Sequence, residues 1–171
     1  ASNLNPGDRI ALHNHRKFYG WDGLYGEEEG YVLGLLVGDG TLKQDKAVLS
    51  VWMKDAAGDD QEVGCGPSGI MDKALVVALK MPHRKDFRGW QKIKGRSEYR
   101  LCLGHIKEIA SHLGLKPGSK RITCEVEKCS SNFYMGFLCG LFDSDGSVQG
   151  SQKKGVSIRL AQSNLENLQA V

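Results

Sequence analysis

The stretch Gly30-Tyr31-Val32-Leu33-Gly34-Leu35-Leu36-Val37-Gly38-Asp39-Gly40 decides how the chain folds, because it returns 106 residues later as Gly136-Phe137-Leu138-Cys139-Gly140-Leu141-Phe142-Asp143-Ser144-Asp145-Gly146. Small residues fall four apart in both copies, at Gly30, Gly34 and Gly38 and at Gly136, Gly140 and Ser144, so on a helix each copy carries one smooth stripe. A glycine inside a helix costs about 1 kcal/mol relative to alanine, so a whole stripe needs a compensating gain. Close approach of two backbones supplies it, as small-xxx-small spacing does between membrane helices. The apolar runs fall short of the roughly 20 residues that span a bilayer. The two helices are therefore expected to pair inside a core, with no membrane as partner.

Each copy closes on an acid followed by glycine, Asp39-Gly40 and Asp145-Gly146, with the glycine expected as the helix C-terminal residue. A carboxylate there meets the negative end of the helix dipole and is disfavoured by about 0.3–1 kcal/mol, so structure alone would not select it. Packed side by side, the helices would bring Asp39 and Asp145 to one end, where two like charges need a proton or a cation to coexist. Hard oxygen donors that leave room for water and phosphate suit Mg²⁺.

The two stretches resemble the signature of the LAGLIDADG homing endonucleases. Leu138 to Gly146 matches it closely, whereas Val32 to Gly40 has Val37 where the signature carries its inner acid. The resemblance implies an α+β fold of pseudo-symmetric αββαββα repeats, each laying a sheet along half of a long double-stranded DNA site. It implies that Asp39 and Asp145, with the Gly38 and Ser144 carbonyls, hold Mg²⁺ between the scissile phosphates, and that cleavage leaves a short 3′ overhang. The family also places a lysine after the fourth strand of a repeat, and Lys107 stands at that point in the order. A polar water-positioning residue often closes the second strand. Gln162 could fill that place in the second repeat, although strict alternation would turn it inward, and Met53 in the first repeat cannot.

Charge supports an anionic partner. The net charge is only +3, but Lys80 to Arg121 holds twelve Lys or Arg against three acids, a balance of +9 that leaves −6 elsewhere. Such a block favours nucleic acid. Five cysteines without a CxxC pair or a zinc pattern with histidine read as reduced, mostly packing thiols in a cytoplasmic protein. The chain opens on Ala, as a fragment or processed piece would. Residues 1–20 are expected to be a lead-in, and Leu4 to Leu12 resembles the segment by which the splicing domain of an intein leads into its endonuclease. His13-Asn14-His15 is set aside as an HNH nuclease motif, whose residues are dispersed through a ββα metal fold.

The resemblance implies that residues 21–171 form the homing endonuclease domain. Acids at Glu27-Glu28-Glu29 suit a helix start. Thr41 to Gln44 and Ala47 to Met53 read as paired strands around Asp45-Lys46, Ala56 to Gly69 as a loop, and Ile70 to Met81 as a helix stopped by Pro82. In Asp86 to Lys94, alternation puts Arg88, Trp90, Lys92 and Lys94 on one face and Phe87 and Ile93 on the other. Past a turn at Gly95-Arg96-Ser97, Tyr99, Leu101 and Leu103 oppose Arg100, giving a ribbon with a basic face that fits the DNA major groove. A helix from His105 to Leu113 closes at Gly114. The first repeat thus runs from about 27 to 114. A partial second repeat, about 131 to 171, has a helix over Ser131 to Asp145, strands at Ser147 to Gln149 and Val156 to Ala161, and Asn164 as an N-cap; its second ribbon and closing helix are missing. Phosphate contacts are expected from Lys43, Lys46, Arg96, Lys153 and Lys154, and base contacts from Arg88, Lys92, Lys94, Arg100 and Arg159.

Three functions compete. The first is a Mg²⁺-dependent, site-specific endonuclease domain of an intein, most similar around Glu28 to Leu42 to inteins of ribonucleotide reductases. Such a piece could be inactive until the remainder of the intein or of the second repeat is supplied. The second is a DNA- or RNA-binding module of the same fold that does not cleave, a regulator or maturase, which retention of both Asp39 and Asp145 disfavours. The third is a spacer within a protein-splicing element, without DNA affinity.

Overall fold

The computed structural model describes residues 20–53, 66–151 and 153–171. The stretch from Leu4 to Leu12, the His13-Asn14-His15 string and most of the expected loop from Ala56 onward lie outside them. The fold is α+β, ordered α1 (Glu27–Val37), β1 (Thr41–Leu42), β2 (Ala47–Trp52), α2 (Gly66–Lys80), β3 (Gln91–Lys92), β4 (Glu98–Cys102), α3 (Gly104–His112), α4 (Cys124–Glu127), α5 (Ser131–Asp145), β5 (Gly146–Ser151), β6 (Gly155–Leu160) and α6 (Leu165–Ala170). Up to α3 this is αββαββα. The order then restarts as αββα at α5.

Helices α1 and α5 pack along their length at the centre, and the glycine stripes are why they can. A Cβ on Gly30 would land on the Phe133 carbonyl, one on Gly34 on the Phe137 carbonyl, and one on Gly140 on the Tyr31 carbonyl. The contact is backbone against backbone. Around it Val32, Leu33, Leu36, Phe133, Phe137 and Leu141 are fully buried, and past its acidic first turn α1 is buried on every side from Gly30 to Val37, as a central helix is.

The first repeat's strands form one antiparallel sheet in the order β1-β2-β4-β3. Leu49 and Leu101 face each other in register and join Ala74 and Ala78 of α2 and Ile106 and Ile109 of α3 in the core. Helix α2 begins four residues before the expected Ile70, because Pro67 fits a first turn whose N–H groups have no acceptor within the helix. The strand expected over Asp86 to Lys94 shrinks to β3, since only Gln91 and Lys92 find ladder partners.

Helix α1 ends at Val37, so Asp39 and Gly40 lie beyond it rather than in its last turn. Neither Gly40 nor Gly146 takes the left-handed conformation expected of a C-terminal glycine. They are needed for space: a Cβ on Gly40 would meet Leu36 backbone at 2.6 Å, and one on Gly146 would meet the Phe142 carbonyl.

The hairpin β5–β6 stands apart as a two-stranded sheet. Register puts Val148 opposite Ile158, and both are about 70% exposed (72% and 68%), whereas Ser147 pairs with Arg159 on the other face. Of the four described cysteines only Cys129 is buried; Cys102, Cys124 and Cys139 are exposed, which corrects their assignment as mostly packing thiols. No described helix is long and apolar enough to cross a membrane.

Candidate functional site

Close packing of α1 against α5 delivers both acids to one tip. Asp145 is the last residue of α5, and Asp39 lies in the turn that leaves α1. A Cβ on Gly38 would stand 3.4 Å from the Asp145 carboxylate carbon and collide with the Ser144 hydroxyl. Burial pushes the pKa of both carboxyls above the usual range, and Asp39 raises Asp145 further by repulsion.

A lysine opposes that rise, and it is not Lys107. Lys120 donates from Nζ to the carbonyls of Leu36 (2.9 Å), Gly38 (2.9 Å) and Gly40 (2.6 Å). It places a positive charge where the α1 dipole is negative, and its charge lowers the pKa of both Asp39 and Asp145. Its own pKa is pulled down by burial and pushed back up by the two acids. Lys107 sits half-buried on α3. Order along the chain pointed to α3, whereas the ammonium is delivered from the loop after it. Gly118-Ser119-Lys120-Arg121 looks like a solvated turn in sequence; two bases in a tight loop after the closing helix were the only signal.

Gln162 completes the tip by donating to Asp145 Oδ2 at 2.8 Å. Alternation along β6 would have turned it inward, but β6 ends at Leu160, so the period no longer governs Gln162. Asp143, the inner acid of the second stretch, accepts from the Tyr31 hydroxyl at 2.9 Å, and burial with that acid drives the phenol pKa far up. Val37, its counterpart in the first stretch, is simply buried. Ser144 spends its hydroxyl on the Gly140 and Leu141 carbonyls.

The described residues contain no group of three or more His, Cys, Asp or Glu suited to a metal. The donor set that does exist consists of the Asp39 and Asp145 carboxylates and adjacent backbone carbonyls. These are hard oxygens that leave most coordination positions to water and phosphate, which fits Mg²⁺. Gly38 O already accepts from Lys120, and a carbonyl has a second lone pair to offer.

Away from the tip, register sorts the candidate DNA contacts. Gln91, Arg100 and Ser50 form one row across three strands. Glu98, one row on, is 2% exposed and bonds Arg100 Nε at 2.5 Å, with Ser50 donating to the same oxygen at 3.2 Å. Arg96 lies 3.6 Å from its other oxygen. Lys46, Arg88, Gln91 and Arg100 line one open cleft with Arg84, which the sequence reading passed over. Lys92 is a correction: it pairs with Tyr99, so it lies on the face opposite Arg100, with its ammonium over the Tyr99 ring. Lys94 and Arg96 occupy the turn before β4, and Lys43 the turn after β1. In the second repeat, Lys154 and Arg159 share a shallow polar concavity, with Lys153 exposed beside it in the turn.

Residues 132–171 match the family model of the LAGLIDADG-like domain. The matched segment holds α5 from its first turn, β5, β6 and α6, and with them Ser144, Asp145 and Gln162. It supports a homing endonuclease-type domain, and with it a nuclease or DNA-binding function. No curated protein gives a significant match to the chain.

Proposed function

We propose that this chain is a site-specific double-strand DNA endonuclease of the LAGLIDADG homing type, acting with Mg²⁺ at a long asymmetric site. The observation that carries it is the tip itself: two acids brought to one end by a pair of glycine-lined helices, with the charge of Lys120 acting on both. A purely structural helix pair has no use for two partly buried carboxylates at one end, where burial raises the pKa of both and Asp39 raises that of Asp145 further.

Asp39 and Asp145 would hold the cation, and Gln162 fixes the orientation of Asp145. A divalent cation there would activate water and stabilise the leaving oxygen of each strand. The three donors of Lys120 are all taken by carbonyls, so it offers the phosphate a fixed charge rather than a hydrogen bond. The cleft with Lys46, Arg88 and Arg100 would track one half of the duplex, and the face with Lys154 and Arg159 the other. The intein placement rests on Leu4 to Leu12 and on the ribonucleotide-reductase-like stretch around Glu28 to Leu42.

Cleavage-site selection tests the proposal. The full chain is incubated with Mg²⁺ and a randomised duplex library, and cut ends are sequenced. A recurrent site with a short 3′ overhang is expected, absent in both Asp39→Asn and Asp145→Asn. Enrichment of bound duplex without any cutting would overturn cleavage and favour a binding module. No enrichment at all would favour the spacer.

A further inference from the structure

Helix α6 is built the wrong way round for a helix docked by apolar contact. Its leucines face outward, Leu165 at 66% and Leu168 at 43% exposed, while the one residue it buries is Asn167, at 4%. A buried amide is tolerated only when its hydrogen bonds are met. Both are met by backbone, on the two sides of Arg121: Asn167 Oδ1 accepts from Ile122 N at 2.8 Å, and Nδ2 donates to Lys120 O at 3.1 Å. Asn164 caps α6 by accepting from Glu166 N and Asn167 N, which fixes the turn that presents the amide. Arg121 and Glu166 pair at 2.7 Å on the rim, more than half exposed, where such a pair contributes little.

We propose that Asn167 is the positioning residue for Lys120: it clamps the Lys120–Ile122 backbone of the loop after α3, so that the ammonium stays on the Leu36, Gly38 and Gly40 carbonyls, where its charge acts on Asp39 and Asp145. The tip thereby depends on a short segment of the second repeat at two points, Gln162 on Asp145 and Asn167 on the loop that carries Lys120. Leu115 and Ile122 pack on the core at the two ends of the loop, but Gly118, Ser119, Lys120 and Arg121 between them contribute no apolar side chain. The amide supplies the hold. The consequence for cleavage rests on the proposed nuclease function; the clamp itself does not.

Two variants of the full chain test it. Asn167→Ala removes both bonds. Asn167→Asp keeps the size and the acceptor for Ile122 N, but turns an oxygen towards Lys120 O. Lysine acetylation by sulfo-N-hydroxysuccinimide acetate, read by mass spectrometry, reports whether Lys120 is held. Its labelling is expected to rise about tenfold in both variants, the scale of a lost buried hydrogen bond, with Lys107 and Lys116 unchanged. On any duplex that the wild-type chain cuts, Asn167→Asp should slow cleavage at unaltered DNA affinity, and adding it to Lys120→Ala should slow cleavage no further. Unchanged Lys120 labelling in Asn167→Asp, a uniform rise at all lysines, or cleavage losses that add in the double variant would overturn the clamp. A wild-type chain that cuts no duplex contradicts the nuclease proposal alone, and the labelling still decides the clamp.

Discussion

Gly34 and Gly140 each lie where a methyl group would enter the carbonyl oxygen of the other helix, at Phe137 and Tyr31 respectively. A backbone carbonyl cannot move aside as a flexible side chain can. Gly140→Ala must therefore push α5 off α1, against a gain of about 1 kcal/mol in helix propensity. Overpacking of this kind costs about 1–3 kcal/mol and more where nothing yields, so a net loss of about 2 kcal/mol is expected, read as a lower urea midpoint at constant m. Gly104 in α3 is the control. A Cβ there would meet nothing within 4 Å and its φ is not positive, so Gly104→Ala should stabilise by about 0.4–1 kcal/mol. Equal losses in the two variants would refute backbone contact as the reason for the stripe. Residues of this kind were legible in sequence because the constraint is local and periodic. Lys120 was not, because it reaches its site through a fold of the chain that no local pattern encodes, and Lys107 occupied the place in the order that it was expected to fill.

Among the elements, the helices were readable and the ribbon only in part. Ser131 to Asp145 was bounded as α5 is, since its caps are chemical: Ser130 accepts from Phe133 N, as Asn164 does at α6. Strand β3 was read as nine residues because alternation over Asp86 to Lys94 is a property of one segment, whereas a strand needs a partner, and β4 supplies ladder partners to just Gln91 and Lys92. The same logic misplaced Lys92, whose face is set by register with Tyr99. Glu98 shows what the ladder does for charge. The Arg100 side chain, bonded to it, holds the Glu98 carboxyl below its usual pKa, and Ser50 and Arg96 act the same way, against the upward push of burial. A depressed folded-state pKa means stability that is complete above the unfolded value, near about 4.3, and is lost as pH falls through the folded one. Denaturation of wild-type and Glu98→Gln chains between pH 3 and 7 should therefore show a stability gap that is constant at neutral pH and closes in acid. A gap that widens below about pH 4.3 would mean that the arginines do not hold the carboxylate charged.

At the scale of the whole molecule, the repeat relates two surfaces flanking one tip. The cleft of the first repeat carries Lys46, Arg84, Arg88 and Arg100, and the hairpin of the second carries Lys154 and Arg159. In sequence they are scattered bases, Arg84, Arg88 and Arg100 inside the basic block and Lys46, Lys154 and Arg159 outside it, because charge counts locate residues along the chain and not on faces. If both surfaces lie along one duplex, each phosphate contact releases counterion and contributes about 0.9 to the slope of log affinity against log salt. Lys46→Ala and Lys154→Ala, one in each repeat and both assigned to phosphate, should then each make the slope shallower by about 0.9, and the pair by about 1.8. Lys92→Ala should leave the slope alone, because its ammonium sits over Tyr99 on the far face of the sheet from Arg100. Fluorescence anisotropy on a labelled duplex between 50 and 200 mM salt measures all four. If Lys92→Ala flattens the slope as much as Lys46→Ala does, the duplex does not follow the face that register assigns to it. If Lys154→Ala alone has no effect, DNA is held by the first repeat only, and Asp145 reaches the second strand without a surface of its own to guide it.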